Sequence, residues 1–262
     1  MNILNKLAIV AVAVAVAVAF ASHLTAEETS ELPTIDELKR LHTKGENGQY
    51  SMDNLNSVYA SGRILFYSED ETIERGFRIF KKRPNKYRSF YETKLAKKIV
   101  QLEAIYDGQS AIQIFSHGGR EVYREKLQGE ALEAIKFESK LEGPFLLVAE
   151  ENKQYVTIAG YEYIDGQKCF LLLVDERSKY PYRNIWLSTE NFQEVKFDRL
   201  VLRGDEELVE EVHFRNFKNM QGVIFASRMD KFINGKRNFT TFIDDFNVNY
   251  GLYDSLFDLE LN

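Results

Sequence analysis

The 262-residue sequence carries 34 Lys and Arg against 40 Asp and Glu, a net charge of −6, which speaks against a nucleic-acid partner. Its single cysteine, Cys169, excludes an internal disulfide, so stability has to come from a core, and the residue itself reads as a small packed hydrophobe. Nineteen Phe and 14 Tyr point to a β-rich protein with a wide apolar surface to bury or to offer.

The chain opens with a short positive stretch to Lys6, followed by an apolar run from Leu7 to Phe20. Ala19-Phe20-Ala21 fits the small-x-small pattern at which secretory signal peptides are cut, so residues 1–21 read as a leader. The rival reading is a retained anchor. The run would span roughly 21 Å as a helix, short of the ~30 Å hydrocarbon core, and this favours cleavage. No cysteine lies near the cut, so lipidation is not expected. The expected product is an exported, periplasmic chain whose residues 22–262 form one domain.

After an acidic spacer (Glu27 to Glu31), Thr34 and Glu37 have capping-box spacing, and Ile35, Leu38 and Leu41 recur on one face of a helix over about 34–44. Gly45 and Gly48 end it. From Ser57 to Phe115 the chain reads as strand after strand: Val58–Tyr67, Thr72–Lys82, Lys86–Glu92, Ile99–Tyr106 and Gln109–Phe115. Turn residues separate them, as in Pro84-Asn85 and Asp107-Gly108, and no break has room for a crossover helix. The strands therefore form an antiparallel meander with one apolar face. Gly62 and Gly76 read as bulges that let the sheet curl.

Beyond Arg124 the period changes, and Leu127, Ala131, Ala134, Ile135 and Leu141 recur at helical spacing over about 126–141. Such a helix between strands is a lid or an ordinary packed helix, and spacing does not separate the two. Phe145-Leu146-Leu147-Val148 is an apolar run of either type. Strands resume from Tyr155 to Asn247, with hairpin signals at Asp165-Gly166, Asn219–Gly222 and Ile233–Lys236. Ten or more antiparallel strands in sequence imply one curled sheet.

Catalytic signals are thin. His23, His42, His117 and His213 lie far apart with no metal-ligand spacing, and neither a metal nor a cofactor is expected. His117-Gly118-Gly119-Arg120 reads as a hairpin loop sooner than an anion cradle, for no Gly-x-Ser-x-Gly nucleophile accompanies it. Glu206-Glu207, Glu210-Glu211 and Asp244-Asp245 read as solvated charges on strand ends sooner than glycosidase carboxylates. No enzyme is expected.

Four motifs in order carry a resemblance: Lys82-Arg83-Pro84-Asn85 at a strand end, Tyr106-Asp107-Gly108-Gln109 at a hairpin, Gly143–Ala149 after the lid, and Phe214–Gly222. Together they resemble the LolA-like periplasmic lipoprotein carriers and the wider outer-membrane lipoprotein-sorting family, over roughly Leu55 to Phe225. The resemblance implies a mainly β fold, an unclosed antiparallel barrel with helices plugging its open side and an acyl-chain cavity between. It puts the arginine that ties the lid shut at Arg83, whose plain alternative is a solvated charge. The C-terminal stretch from Tyr250 to Asn262 runs beyond the typical carrier, and the stretch from Thr93 to Lys98 has no counterpart.

On that fold, the expected cavity wall is the inward set Ile64, Phe66, Phe77, Ile79, Val100 and Leu102, with Leu132, Ile135, Phe145 and Leu146 from the lid. Otherwise these residues fill a solid core. The expected partners are a lipid or acylated lipoprotein and, transiently, inner- or outer-membrane proteins that load and unload it, with the chain itself a monomer. The alternative is an envelope sensor or exporter-associated module that binds without transporting.

Overall fold

The structure, a computed structural model, describes residues 32–45, 48, 51–95, 98–203 and 206–260; the leader and acidic spacer lie outside them. Residues from Thr34 onward form one compact unit. The first helix, α1 (Ile35–Lys44), starts where the capping box places it, with Thr34 Oγ1 accepting the Glu37 N–H at 3.1 Å. Gly45, at φ 68°, ends it and donates its N–H to Leu41 O. Leu38, Leu41 and His42 are its buried face.

Among the described residues, thirteen strands build a single antiparallel sheet. The first six form one meander: β1 (Ser57–Tyr67), β2 (Thr72–Lys82), β3 (Lys86–Leu95), β4 (Lys98–Tyr106), β5 (Ala111–His117) and β6 (Arg120–Lys126). The last seven form another: β7 (Val156–Ile164), β8 (Gln167–Val174), β9 (Tyr182–Ser188), β10 (Glu194–Arg203), β11 (Glu206–Met220), β12 (Val223–Ile233) and β13 (Lys236–Val248). Antiparallel pairing of β1 with β13 joins them, so the sheet runs from β6 at one edge to β7 at the other and does not close. The expected hairpins are there: Asp165-Gly166, Gln221-Gly222 and Asn234-Gly235 each have positive φ at both turn residues, as type I′ turns require.

Gly62 sits at a register shift between β1 and β13, and a Cβ there would meet Phe242 O at 1.9 Å, so only glycine fits. Gly76 is different. The β1–β2 register runs through it without a shift, and the β2–β3 register begins at it, so it is an ordinary strand position and not a bulge.

Between the two edge strands the chain crosses the inner face of the sheet as two helices, α2 (Gly129–Glu138) and α3 (Pro144–Glu151). The single helix expected over 126–141 is thus shorter, because Arg120–Lys126 pairs with β5 as an exposed, charged edge strand. The undecided Phe145–Val148 run is helical. Pro144 begins that helix, and Glu194 on β10 accepts the Phe145 N–H at 2.8 Å, doing the work of a cap from outside it. A Cβ on Gly143 would lie 2.5 Å from Glu194 Oε1, so any other residue there would push that carboxylate aside.

The largest core cluster lies where α1 and α3 pack on the inner face of β7–β10, with Phe145, Val148, Leu172, Ile185 and Leu187 at its centre. Cys169 is fully buried beside Trp186 and Val195, as a small hydrophobe. The C-terminal stretch left unmatched by the resemblance straps the outer face of β2–β6. Lys82 Nζ donates to Leu252 O (2.6 Å), Arg88 Nη1 to Leu256 O (2.8 Å) and Arg124 Nη1 to Leu259 O (3.3 Å). Phe257 is buried, and Leu259 packs on Ile105, Ile112 and Ile114. Phe257→Ala is expected to cost about 3–5 kcal/mol in urea unfolding, and Tyr253→Ala, at an exposed ring, no more than about 0.5 kcal/mol. Equal costs would mean that the strap does not grip.

Candidate functional site

The inner face is not filled evenly. Over β7–β10, α3 supplies five consecutive buried residues, Phe145 to Ala149, which pack into the core cluster there. Over β3–β5, α2 buries only Ile135, which meets Tyr87, Tyr106 and Ala111 with Leu127 and Leu132 alongside. Between these contacts, above the central strands, lies a cavity of about 680 Å³. That volume is within the range of small-molecule sites, roughly 300–1,000 Å³.

Its floor comes from both meanders. Val58, Ala60 and Ile64 (β1) and Phe77 and Ile79 (β2) face Phe239, Thr241, Ile243 and Phe246 (β13), Met229 (β12), and Val212 and Phe214 (β11). Phe225 and Phe246 stack with ring centroids 3.9 Å apart and form part of the wall. The roof is Phe137, Leu141, Gly143, Pro144 and Leu147, from the end of α2, its loop and α3.

Of the ten residues expected on the wall, Ile64, Phe77 and Ile79 are there. Seven are placed elsewhere. Phe66 lies against Phe239 beyond the rim, with the Arg75 guanidinium over its ring. Leu102 pairs with Tyr91 and Val100 with Thr93, out on the β4 wing. Leu132 and Ile135 seat α2 on the sheet, and Phe145 and Leu146 belong to the solid core under α3. The reason is geometric. A strand's inward face is legible from alternation, but how far along the sheet the helices fill it is not.

Residues from β10–β13 make up much of the wall and were missed. Alternation along Val223–Ile233 and Lys236–Val248 marks their inward faces, but only the β1–β13 pairing carries those faces to the centre. Sequence reading also missed the charges. Arg199, Glu210 and Lys231 all line the cavity. Glu210, read as a solvated strand charge, is buried; its Oε1 accepts from Arg199 Nε at 2.8 Å, and its Oε2 lies 2.5 Å from Lys231 Nζ. A second charged group sits under the loop joining α2 to α3. Lys81 Nζ donates to Lys140 O at 3.2 Å, and burial pulls its pKa down against the raising pull of Glu138 and Glu142.

Arg83, at the end of the Lys-Arg-Pro motif, reaches that same loop. Its Nη1 lies 2.7 Å from Glu142 Oε1, and its Nε donates to Leu55 O at 2.6 Å. His117-Gly118-Gly119-Arg120 is the β5–β6 hairpin, with both glycines at positive φ. His42 packs against Phe145 and meets Phe192 O at 2.7 Å, at the cavity's inner end. His213 is remote from it, beside Glu211 on β11.

No protein-family model matches the sequence, and no curated protein does. Solved structures do match. A DUF1329 family protein from Desulfovibrio piger aligns with 86% of this chain and 95% of its own at a TM-score of 0.56 and 13% identity. A putative outer membrane lipoprotein-sorting protein domain from Vibrio parahaemolyticus covers 86% and 94%, at 0.54 and 13%. A LolA superfamily protein from Nitrosomonas europaea covers 87% and 98%, at 0.50 and 12%. Likeness at these identities is likeness of fold, and the unclosed antiparallel sheet with its helices is the fold that the motifs implied.

A packed wall and a hollow one respond differently to truncation. Phe145→Ala should cost about 3–5 kcal/mol, whereas Ile79→Ala, beside space already empty, should cost closer to 1 kcal/mol. Denaturant unfolding of the two variants checks this, and a cost for Ile79→Ala as large as that for Phe145→Ala would mean that the gap is filled. The chain has the LolA-like architecture, built here around a cavity that its own helices leave open.

Proposed function

We propose that this protein binds the acyl chain of a lipid or lipoprotein in the cavity and carries it through the periplasm, in the manner of lipoprotein-sorting proteins. The observation that carries the reading is the 680 Å³ hollow lined by Phe, Ile, Val and Met under a lightly seated helix. Burying methylenes is worth about 0.8 kcal/mol each, so a chain of about fifteen represents on the order of 12 kcal/mol of gross driving force. A wall so largely apolar suits such a ligand, and release then turns on moving the roof. The likeness to a lipoprotein-sorting domain and a LolA superfamily protein supports carriage over catalysis.

Arg83 suits a latch. The pair with Glu142 is partly exposed, at 40% and 21% of the side-chain surfaces, and pairs of this kind are worth about 0–1 kcal/mol. A tie that weak holds the loop between α2 and α3 yet yields to an incoming chain.

Three measurements test the proposal. A fluorescent fatty-acid probe should bind the purified protein saturably, and Ala60→Trp, which fills the floor, should weaken it at least about tenfold. Absence of saturable binding would dispose of the acyl-chain reading. Arg83→Leu should change the rates of probe uptake and release while lowering the unfolding free energy by no more than about 2 kcal/mol, the worth of its hydrogen bond to Leu55 O; unchanged rates would reduce Arg83 to a surface charge. Passage of labelled lipid from donor to acceptor vesicles separates a carrier from a sensor that only binds.

A further inference from the structure

The cavity wall is mostly apolar, and its charged side chains gather in two groups at opposite ends. Cross-strand register sets the distance between them. Lys81 lies opposite Val58, while Lys231 lies opposite Phe239, which in turn lies opposite Phe66. From Val58 to Phe66 along β1 is roughly 26 Å at about 3.3 Å per residue. Lys81, Glu138, Lys140 and Glu142 cluster at the roof-loop end, and Glu194 is held by the Phe145 N–H. Arg199, Glu210 and Lys231 stand at the other.

At that second end two cations share one carboxylate. Arg199 gives Glu210 Oε1 both Nε, at 2.8 Å, and Nη2, at 2.6 Å, and Lys231 Nζ takes Oε2 at 2.5 Å. An arginine has five N–H donors and a lysine three, more than one carboxylate accepts. The triad keeps one positive charge in excess, on a wall otherwise built of Phe, Val and Met. Such a group is a poor device for stability, because apolar residues of the same volume would hold the strands as well or better. It is a good device for holding an anion, since a low dielectric strengthens every charge interaction. Tyr182, opposite Arg199 on β9, also lies on the cavity wall, where burial raises its phenol pKa.

We propose that the cavity takes a single amphiphile with an acidic head, a carboxylate or a phosphate, seated between Arg199 and Lys231 with its chain along the apolar floor. This rests on the acyl-chain reading above and names the head group that goes with the chain. Glu210 then acts as the counter-ion that occupies the site when it is empty, and the incoming anion competes with it.

The test is displacement of the fluorescent fatty-acid probe from the purified protein by ligands of one chain length: dodecanoate, dodecyl phosphate, dodecanol and dodecyltrimethylammonium. The two anions should displace the probe at concentrations about tenfold or more below the alcohol and the ammonium. Lys231→Met should remove most of that preference. Glu210→Gln, which retains the hydrogen-bond acceptor but loses the competing charge, should raise anion affinity several-fold, a gain that a purely structural triad would not produce. Inorganic phosphate should not displace the probe; if it bound as tightly as dodecyl phosphate, the site would serve a free anion and the amphiphile would be overturned. Equal displacement by alcohol and anions would overturn the head-group assignment and leave the cavity reading standing. A probe that never binds would remove both.

Discussion

The antiparallel pairing of β1 with β13 is the contact on which the rest depends. It runs from Val58 opposite Val248 to Phe66 opposite Phe239, between segments near the two ends of the chain, and turns two meanders into one sheet. Without it, β1–β6 and β7–β13 would each offer a hydrophobic face with half a cover. With it, the free edges are β6 and β7, and the chain linking those two strands must cross the inner face. The two helices that cover the cavity are therefore tied covalently to both rims, and neither end of the roof is free to leave.

Cover is shared unequally for a reason visible in the helices. Residues Phe145 to Ala149 of α3 are apolar all round, as a helix sandwiched between the sheet and α1 has to be. The α2 helix presents Glu130, Glu133 and Lys136 among its small apolar residues and has only Ile135 fully committed to the sheet. Burial worth several kcal/mol fixes α3, and much less fixes α2. A cavity persists where the weakly committed helix meets the strongly committed one. The outer strap from Leu252 to Leu259 lets the opposite face of β2–β6 stay buried while the inner face stays partly empty.

Much of the fold was legible in the sequence. The Thr34 capping box, the Asp165-Gly166 and Asn234-Gly235 turns and the alternation along Val58–Tyr67 each report on a few neighbouring residues, and local chemistry decides them. The site was less legible. Ile64, Phe77 and Ile79 were found because alternation gives a strand's inward side. Phe145 and Leu146 lie in the core, which the run itself does not show because it suits a cavity roof and a core helix equally. The partners that bury it lie elsewhere in the chain, as Glu194 at its start does, forty-nine residues from Phe145. Glu210 looked like one of a run of surface acids. Its burial follows from facing Arg199 across one strand pair and Lys231 near the next, a coincidence of three strands that no window of sequence displays.

Under the proposed function the protein would face conflicting demands, since an acyl chain that it shields must leave again. An apolar floor would supply affinity that scales with chain length and has no direction. Direction has to come from groups that sit at one end only. The ties between β2 and the roof loop, Arg83 to Glu142 and Lys81 to the Lys140 carbonyl, lie at one mouth, and the Arg199–Glu210–Lys231 triad lies at the other. A cavity with unlike ends fixes which way an amphiphile lies, and so which part of it meets the roof loop first when that loop moves. Polarity at the ends thus does for orientation what hydrophobic burial in the middle cannot.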